Sequence, residues 1–181
     1  GFTTGTVTPT SISEDKADIA TLQGTAGISL ATTNITVTDQ VDKSEADTIN
    51  GYTTGQVVLN SSSMTVTELA AVEALNDSEM KFADNGAISV SDAATLANAN
   101  TINNYTTGQV TLTSVSDTVA NITSIDGLTT TEVTMAGATV SITDTGASKA
   151  QVDTVNGFTT GTVTPTSISE DKADIATLQG T

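Results

Sequence analysis

Cysteine, histidine, tryptophan and arginine are all absent from these 181 residues. Without cysteine there is no disulfide, no thiolate metal site and no cysteine nucleophile. Without histidine no imidazole serves as base to a hydroxyl nucleophile, so the triad chemistries are closed as well. Five lysines face 21 acidic residues, for a formal charge of -16. That field repels nucleic acid and anionic membrane surfaces. Apolar runs stay far below the roughly 20 residues that span a bilayer, and no signal peptide opens the chain. Only three Phe and two Tyr are present, too few for stacking on sugars or bases, and there is no Gly-rich phosphate loop. The start at Gly1 instead of Met reads as a fragment or a processed product.

High net charge with few aromatics is also the signature of disorder. The apolar content argues against it, because 36% of residues are hydrophobic, with Val, Ile and Leu set at regular intervals. The segment GFTTGTVTPTSISEDKADIATLQGT at 1–25 returns without a substitution at 157–181. Between these copies the opening phrase recurs in altered form, as GYTTGQVVL from Gly51, NYTTGQVTL from Asn104 and GLTTTEVTM from Gly127, before GFTTGTVTP returns unaltered from Gly157. Two further copies, Gln23-Gly24 and Asn76-Asp77, keep only a polar residue followed by Gly or a substitute. The second residue of each pair marks positions 24, 51, 77, 104, 127, 157 and 180, spaced by 27, 26, 27, 23, 30 and 23 within a period of 156 residues.

Upstream of each marker, apolar residues recur three apart: Ile19 and Leu22, Ala46 and Ile49, Val72 and Leu75, Ala99 and Ile102, Ile122 and Ile125, Val152 and Val155. This predicts a short helix with one buried stripe, stopped at the marker by Gly or Asn in the left-handed conformation. Downstream the period changes to two. Val57 and Leu59, Met80 and Phe82, Val110 and Leu112, and Val133 and Met135 predict a first strand. A second follows in NITVTD, SMTVTE, AISVSD, TSVSD, TVSITD and TSISED, with Ile35, Val37, Met64, Val66, Ile88, Val90, Val115, Val140, Ile142 and Ile168 pointing inward.

A unit this small cannot bury its stripes alone, so neighbours must stack on it. The predicted fold is a β-rich (α/β) solenoid of six to seven stacked coils, each of about 26 residues with two short strands and one short helix. The coils run 1–24, 25–51, 52–77, 78–104, 105–127, 128–157 and 158–181 in a single array over 1–181. Insertions such as NSSS at 60–63 and MAGA at 135–138 are placed between strands. Both termini read as ordinary repeat without a capping segment, leaving unpaired sheet edges.

Stacking turns repeated positions into columns. Gln23, Asn50, Asn76, Asn103, Asp126, Asn156 and Gln179 form a mostly amide column, expected to bond the backbone of the next coil. Glu14, Asp39, Glu68, Asp92, Asp117, Asp144 and Glu170 form an acidic column just before each helix. Two readings apply to it: helix-start chemistry, in which Ser or Thr caps and the acid complements the helix dipole, or calcium held between coils, with Asp15, Asp42 and Asp171 nearby. One carboxylate per coil supplies few ligands, and no GGxGxD nonapeptide is present, so helix-start chemistry is preferred. A third column is a double file of hydroxyls: Thr36 and Thr38, Thr65 and Thr67, Ser89 and Ser91, Ser114 and Ser116, Ser141 and Thr143, Ser167 and Ser169. It resembles the threonine arrays of ice-binding proteins, and equally it is the ordinary composition of an exposed strand face. Asn34 and Asn121 open NIT triplets that fit a glycosylation acceptor.

The wording VTDQVDKSEADTINGYTTGQV at 37–57, with its richness in Thr, Ser, Gly, Ala and Asp, resembles the very large repetitive surface proteins of bacteria, notably of cyanobacteria, including giant cell-surface motility proteins. The resemblance implies an extracellular structural or adhesive role and carries over no functional residue. The expected function is that of a structural repeat protein, not an enzyme, which forms an extracellular filament, fibre or surface matrix by end-to-end stacking of coils. An adhesin or ice-binding-type solenoid, stabilised by calcium, is the alternative; a carbohydrate-active solenoid ranks third. No catalytic, cofactor-binding or metal residue is assigned, and calcium is the one candidate cofactor. The expected partner is further copies of the same repeat, with no nucleic acid, membrane insertion or small-molecule substrate.

Overall fold

A computed structural model describes residues 4–128 and 132–178. The opening residues 1–3, the threonines 129–131 of the fifth marker phrase, and Gln179 and Gly180 of the last marker lie outside the described residues. The chain divides into two compact units, Gly1–Ser89 with Tyr105–Gly108, and Val90–Asn104 with Gln109–Thr181.

The first unit contains β1 (Ser11–Glu14), α1 (Lys16–Gly24), β2 (Asn34–Val41), α2 (Lys43–Asn50), β3 (Val57–Met64), α3 (Val66–Glu73) and the start of β4 (Met80–Ala94). Its strands lie in the order β1-β2-β3-β4. The second unit takes the end of β4, then α4 (Leu96–Asn103), β5 (Val110–Asp117), α5 (Val119–Asp126), β6 (Val133–Thr134), β7 (Thr139–Ile142), α6 (Lys149–Asn156), β8 (Val163–Pro165) and α7 (Lys172–Leu178). Here the order is β4-β5-β7-β8, with β6 also beside β5. The described pairings are parallel, and sequential parallel strands joined by helices make each unit the solenoid-like β/α arrangement that the change of period predicts.

Most of the helix stripes are where the spacing puts them, but Leu22 and Leu75 are only half-buried and Leu75 lies past the end of α3. Ile19, Ala46, Ile49, Val72, Ala99, Ile102, Ile122, Ile125, Val152 and Val155 are all buried. Facing them are the strand residues Ile35, Val37, Val57, Leu59, Val110, Leu112, Val115 and Val140. Helices of two turns are marginal in isolation, so this packing and the caps at their starts hold them. Asp42, Thr65, Thr95 and Ser148 each close a capping box with Glu45, Glu68, Asn98 and Gln151.

Three expectations need correction. The two strands per coil are one continuous strand in β3, β4 and β5; they separate where MAGA divides β6 from β7, and single bridges at Val7, Ile28 and Ile168 stand apart from β1, β2 and β8. NSSS lies inside β3, whose buried positions are Val57, Leu59, Ser62 and Met64. The alternation slips by one residue there, and a slip absorbed within a strand looks in sequence like a break between two strands. In SMTVTE the strand ends at Met64, Thr65 caps the helix, and Val66, Thr67 and Glu68 lie in α3. Finally, the helices do not stop in the left-handed conformation: Gly51, Asn104, Gly127 and Gly157 have φ of -66, -80, -73 and -71°. Their last turns tighten through i to i−3 bonds such as Tyr52 N to Ile49 O.

Candidate functional site: the contacts between coils

The Thr-Thr-Gly triplet, which reads in sequence only as a marker, is a coil-to-coil staple. It is described at Thr53-Thr54-Gly55, Thr106-Thr107-Gly108 and Thr159-Thr160-Gly161, each 53 residues from the last. The first hydroxyl donates to a carbonyl of the preceding coil: Thr53 to Thr33 O at 2.7 Å, Thr106 to Gly86 O at 2.6 Å, Thr159 to Ala138 O at 2.6 Å. The same oxygen accepts from the glycine N–H two residues on, at 2.8 to 2.9 Å. The second threonine donates both its N–H and its hydroxyl to one further carbonyl, that of Ala31, Asp84 or Ala136. Glycine closes the triplet because a Cβ would lie 2.5 Å from Thr33 O, 2.4 Å from Gly86 O and 2.2 Å from Ala138 O. Those are clash distances against backbone, so no larger residue fits without displacing the coil. In the second staple Tyr105 also stacks on Phe82, centroids 6.1 Å apart.

The acidic column works across coils as well. Asp39 accepts from the N–H of Lys16 at 3.0 Å, Asp117 from Leu96 at 2.9 Å, Asp144 from Val119 at 2.6 Å, and Glu170 from Lys149 at 2.7 Å. Each donor is the first residue of the preceding helix, so the carboxylate caps the helix behind it and not the one it precedes in sequence. Asp39 reaches back from a bulge, since Thr38 and Asp39 together lie opposite Asn60 between the Val37–Leu59 and Gln40–Ser61 pairs. Glu68 instead accepts from Thr65 inside its own capping box, and Glu14 lies exposed on β1. Helix-start chemistry is thus right in kind, with the wrong helix assigned. Burial pushes the Asp117 carboxyl up, but the Leu96 N–H, the Asn121 amide and the Thr118 N–H outweigh it and hold the group below its ordinary value.

Among the described residues the amide column does not bond the next coil's backbone as expected. Asn50 donates to the Glu79 carboxylate at 3.1 Å, Asn76 accepts from Ser78 in its own turn, and the Asn103 Oδ1 is buried without a partner. The hydroxyl file is real only in part. Ser116 aligns with Ser141 and that with Thr164, while Ser114 aligns with Thr139. In the first unit Ser13 aligns with Thr36, but Thr36 then meets Val58, which interrupts the file.

Among the described residues only two large hydrophobic side chains are exposed, Val7 at 46% and Ile175 at 37%. They lie near the first and last elements. Ile175 is the repeat of Ile19, whose exposure is 0%. Among the described residues no group of three or more acidic side chains is placed to hold a metal ion, and no helix is long and apolar enough to cross a membrane. Compared with family models, curated proteins and solved structures, the chain matches none.

Proposed function

We propose that the chain is a structural repeat protein of the cell exterior, one array of six to seven coils that builds a filament or surface matrix by axial stacking on further copies of itself. Helices that begin at Lys16, Lys43, Val66, Leu96, Val119, Lys149 and Lys172 support one helix per coil and the coil length read from the markers. The observation that carries the reading is the pair Ile19 and Ile175. Both belong to the same repeated segment, yet Ile19 is covered by the coil that follows it and Ile175 is not. The uncovered copy offers a face for which the chain already contains the matching surface. The acidic, Thr-rich repeat wording supports an exterior location. No residue has a catalytic role in this reading, and calcium is not needed for it, because the carboxylates between coils already accept from helix N–H groups.

The test is light scattering with negative-stain electron microscopy of the chain across a concentration series, alongside an Ile175→Asp variant. Filaments that lengthen with concentration, and fall at least tenfold in amount in the variant, are expected. Compact monomers at every concentration, with and without millimolar calcium, overturn the proposal.

A further inference from the structure

We propose that the partner surface for residues 157–181 is the 26–51 coil of a second copy, reached by exchange: the closing segment of one molecule takes the seat that residues 1–25 occupy in the other. This rests on the self-association proposed above and names its geometry. Simple stacking of intact molecules would set 157–181 against 1–25, two identical coils in succession, a pairing seen nowhere in the chain. Exchange instead recreates a contact that is already built.

That contact is specific. Val7 donates to Gly27 O at 2.7 Å and accepts from Ser29 N at 2.9 Å. Pro9 O accepts from the Thr33 hydroxyl at 2.7 Å and Thr10 O from Asn34 N at 3.0 Å. Ser11, Ile12, Ser13 and Glu14 pair in register with Asn34, Ile35, Thr36 and Val37. Lys16 places its N–H on Asp39 at 3.0 Å and its ammonium on Glu45 at 2.7 Å. Every residue of 1–25 that makes these bonds recurs 156 positions later.

The closing segment matches the opening one at its helix start, while SISE at 167–170 extends into a strand only on seating, as SISE does at 11–14. Asp171 accepts from Asp174 N at 3.0 Å as Asp15 does from Asp18 N at 2.8 Å, so α7 starts where α1 starts. β8 is bonded to β7 along one edge, and the other edge is the one that Val7 and its neighbours use toward the next coil. Exchange therefore trades identical bonds for identical bonds. The released 1–25 segment regains conformational freedom, while the tether holds it near its own seat at an effective concentration on the order of millimolar. Exchange thus takes over when the protein itself approaches that concentration.

Cysteine pairs read the seat directly, since the chain has none of its own. Ser13 and Thr36 are register partners, a spacing of about 4.8 Å across adjacent strands that a disulfide can bridge. Ser169 repeats Ser13. Full-length Thr36→Cys/Ser169→Cys, concentrated to about 1 mM and mildly oxidised, is expected to give a covalent ladder beyond the dimer on non-reducing gels. Each single variant stops at dimer. An Ile19→Ala change that loosens the resident coil should then lengthen the ladder, and Ile175→Ala should shorten it. A ladder from Ser13→Cys/Ser169→Cys with none from Thr36→Cys/Ser169→Cys means stacking without exchange; it overturns this inference and leaves the filament proposal standing. Monomers from both pairs, with monomeric scattering, overturn both.

Discussion

One segment, written first at 1–25 and again at 157–181, folds twice in this chain, and its two copies do not fold identically. In the opening copy SISE at 11–14 is strand β1, paired forward with β2, and Val7 makes only a single bridge to Ile28. In the closing copy the strand is β8 at Val163–Pro165, which repeats 7–9 and pairs backward with β7, while SISE at 167–170 keeps only the bridge of Ile168 to Ala147. Ile19 is sealed and Ile175 is open. Sequence is held constant in this comparison, so the difference belongs to the neighbour. Which stretch becomes strand, and which apolar residue becomes core, is decided by the coil that lies against it, as expected for a fold whose stability is a sum of nearest-neighbour interfaces.

Breaking the sealed copy should be far costlier than breaking the open one. Ile19→Ala leaves a cavity under full burial and is expected to cost about 3 kcal/mol, against under about 1 kcal/mol for Ile175→Ala. Amide exchange measures each locally: Asn34 N–H bonds Thr10 and reports whether the opening coil is seated, and Ala147 N–H bonds Ser167 and reports the closing one. The prediction is loss of roughly 100-fold in Asn34 protection for the first variant and under about fivefold at Ala147 for the second. Equal losses would mean that burial of this stripe is set by the segment itself.

Much of this arrangement is legible in the residues. Apolar positions three apart locate most of the described helices, though α3 ends before Leu75 of its expected stripe, and the verbatim return of 1–25 announces a repeat. What escapes is whatever depends on a partner one coil away. The 53-residue recurrence of Thr53, Thr106 and Thr159 is visible in the letters, but its role as a staple is not, because the carbonyls it grips belong to residues with no common identity: Thr33, Gly86 and Ala138. The acidic column is visible too, yet its target is the backbone N–H of Lys16, Leu96, Val119 or Lys149, and a backbone donor has no sequence signature. A phase slip such as Leu59 to Ser62 reads as the end of a strand when it is a bend inside one.

Glycine separates contact with a neighbour from conformation within a segment. Gly108→Ala drives a Cβ toward Gly86 O at 2.4 Å and Asn85 O at 2.5 Å, and is expected to destabilise the chain by about 2 kcal/mol. Gly51→Ala, at the end of α2 with right-handed φ and 3.3 Å to the nearest oxygen, should shift stability by only a few tenths of a kcal/mol in either direction. Urea midpoints of the two variants decide it. A Gly51→Ala cost as large as that of Gly108→Ala would restore the marker glycine as the conformational stop.

The finest contrast is electrostatic. Glu170 caps α6 from the coil beyond it, whereas Glu14, the same residue in the opening copy, lies exposed on β1. Replacing an ionised acceptor by a neutral one roughly halves a charge-assisted bond, so Glu170→Gln should cost about 1 kcal/mol at neutral pH and Glu14→Gln less than about 0.5 kcal/mol. The same chemistry at Asp117 gives the sign of the pH dependence. Its carboxyl is held below its ordinary value in the folded chain, so the stabilisation is present in full above the unfolded-state value and drains away as pH falls through the lower, folded one. Unfolding free energies of the chain and of Asp117→Asn, measured from neutral pH down through the carboxylate range, should therefore converge as pH falls. A gap that holds constant or widens on acidification would mean that this carboxylate does not cap α4 in its ionised form, and that the acidic column owes nothing to the helix behind it.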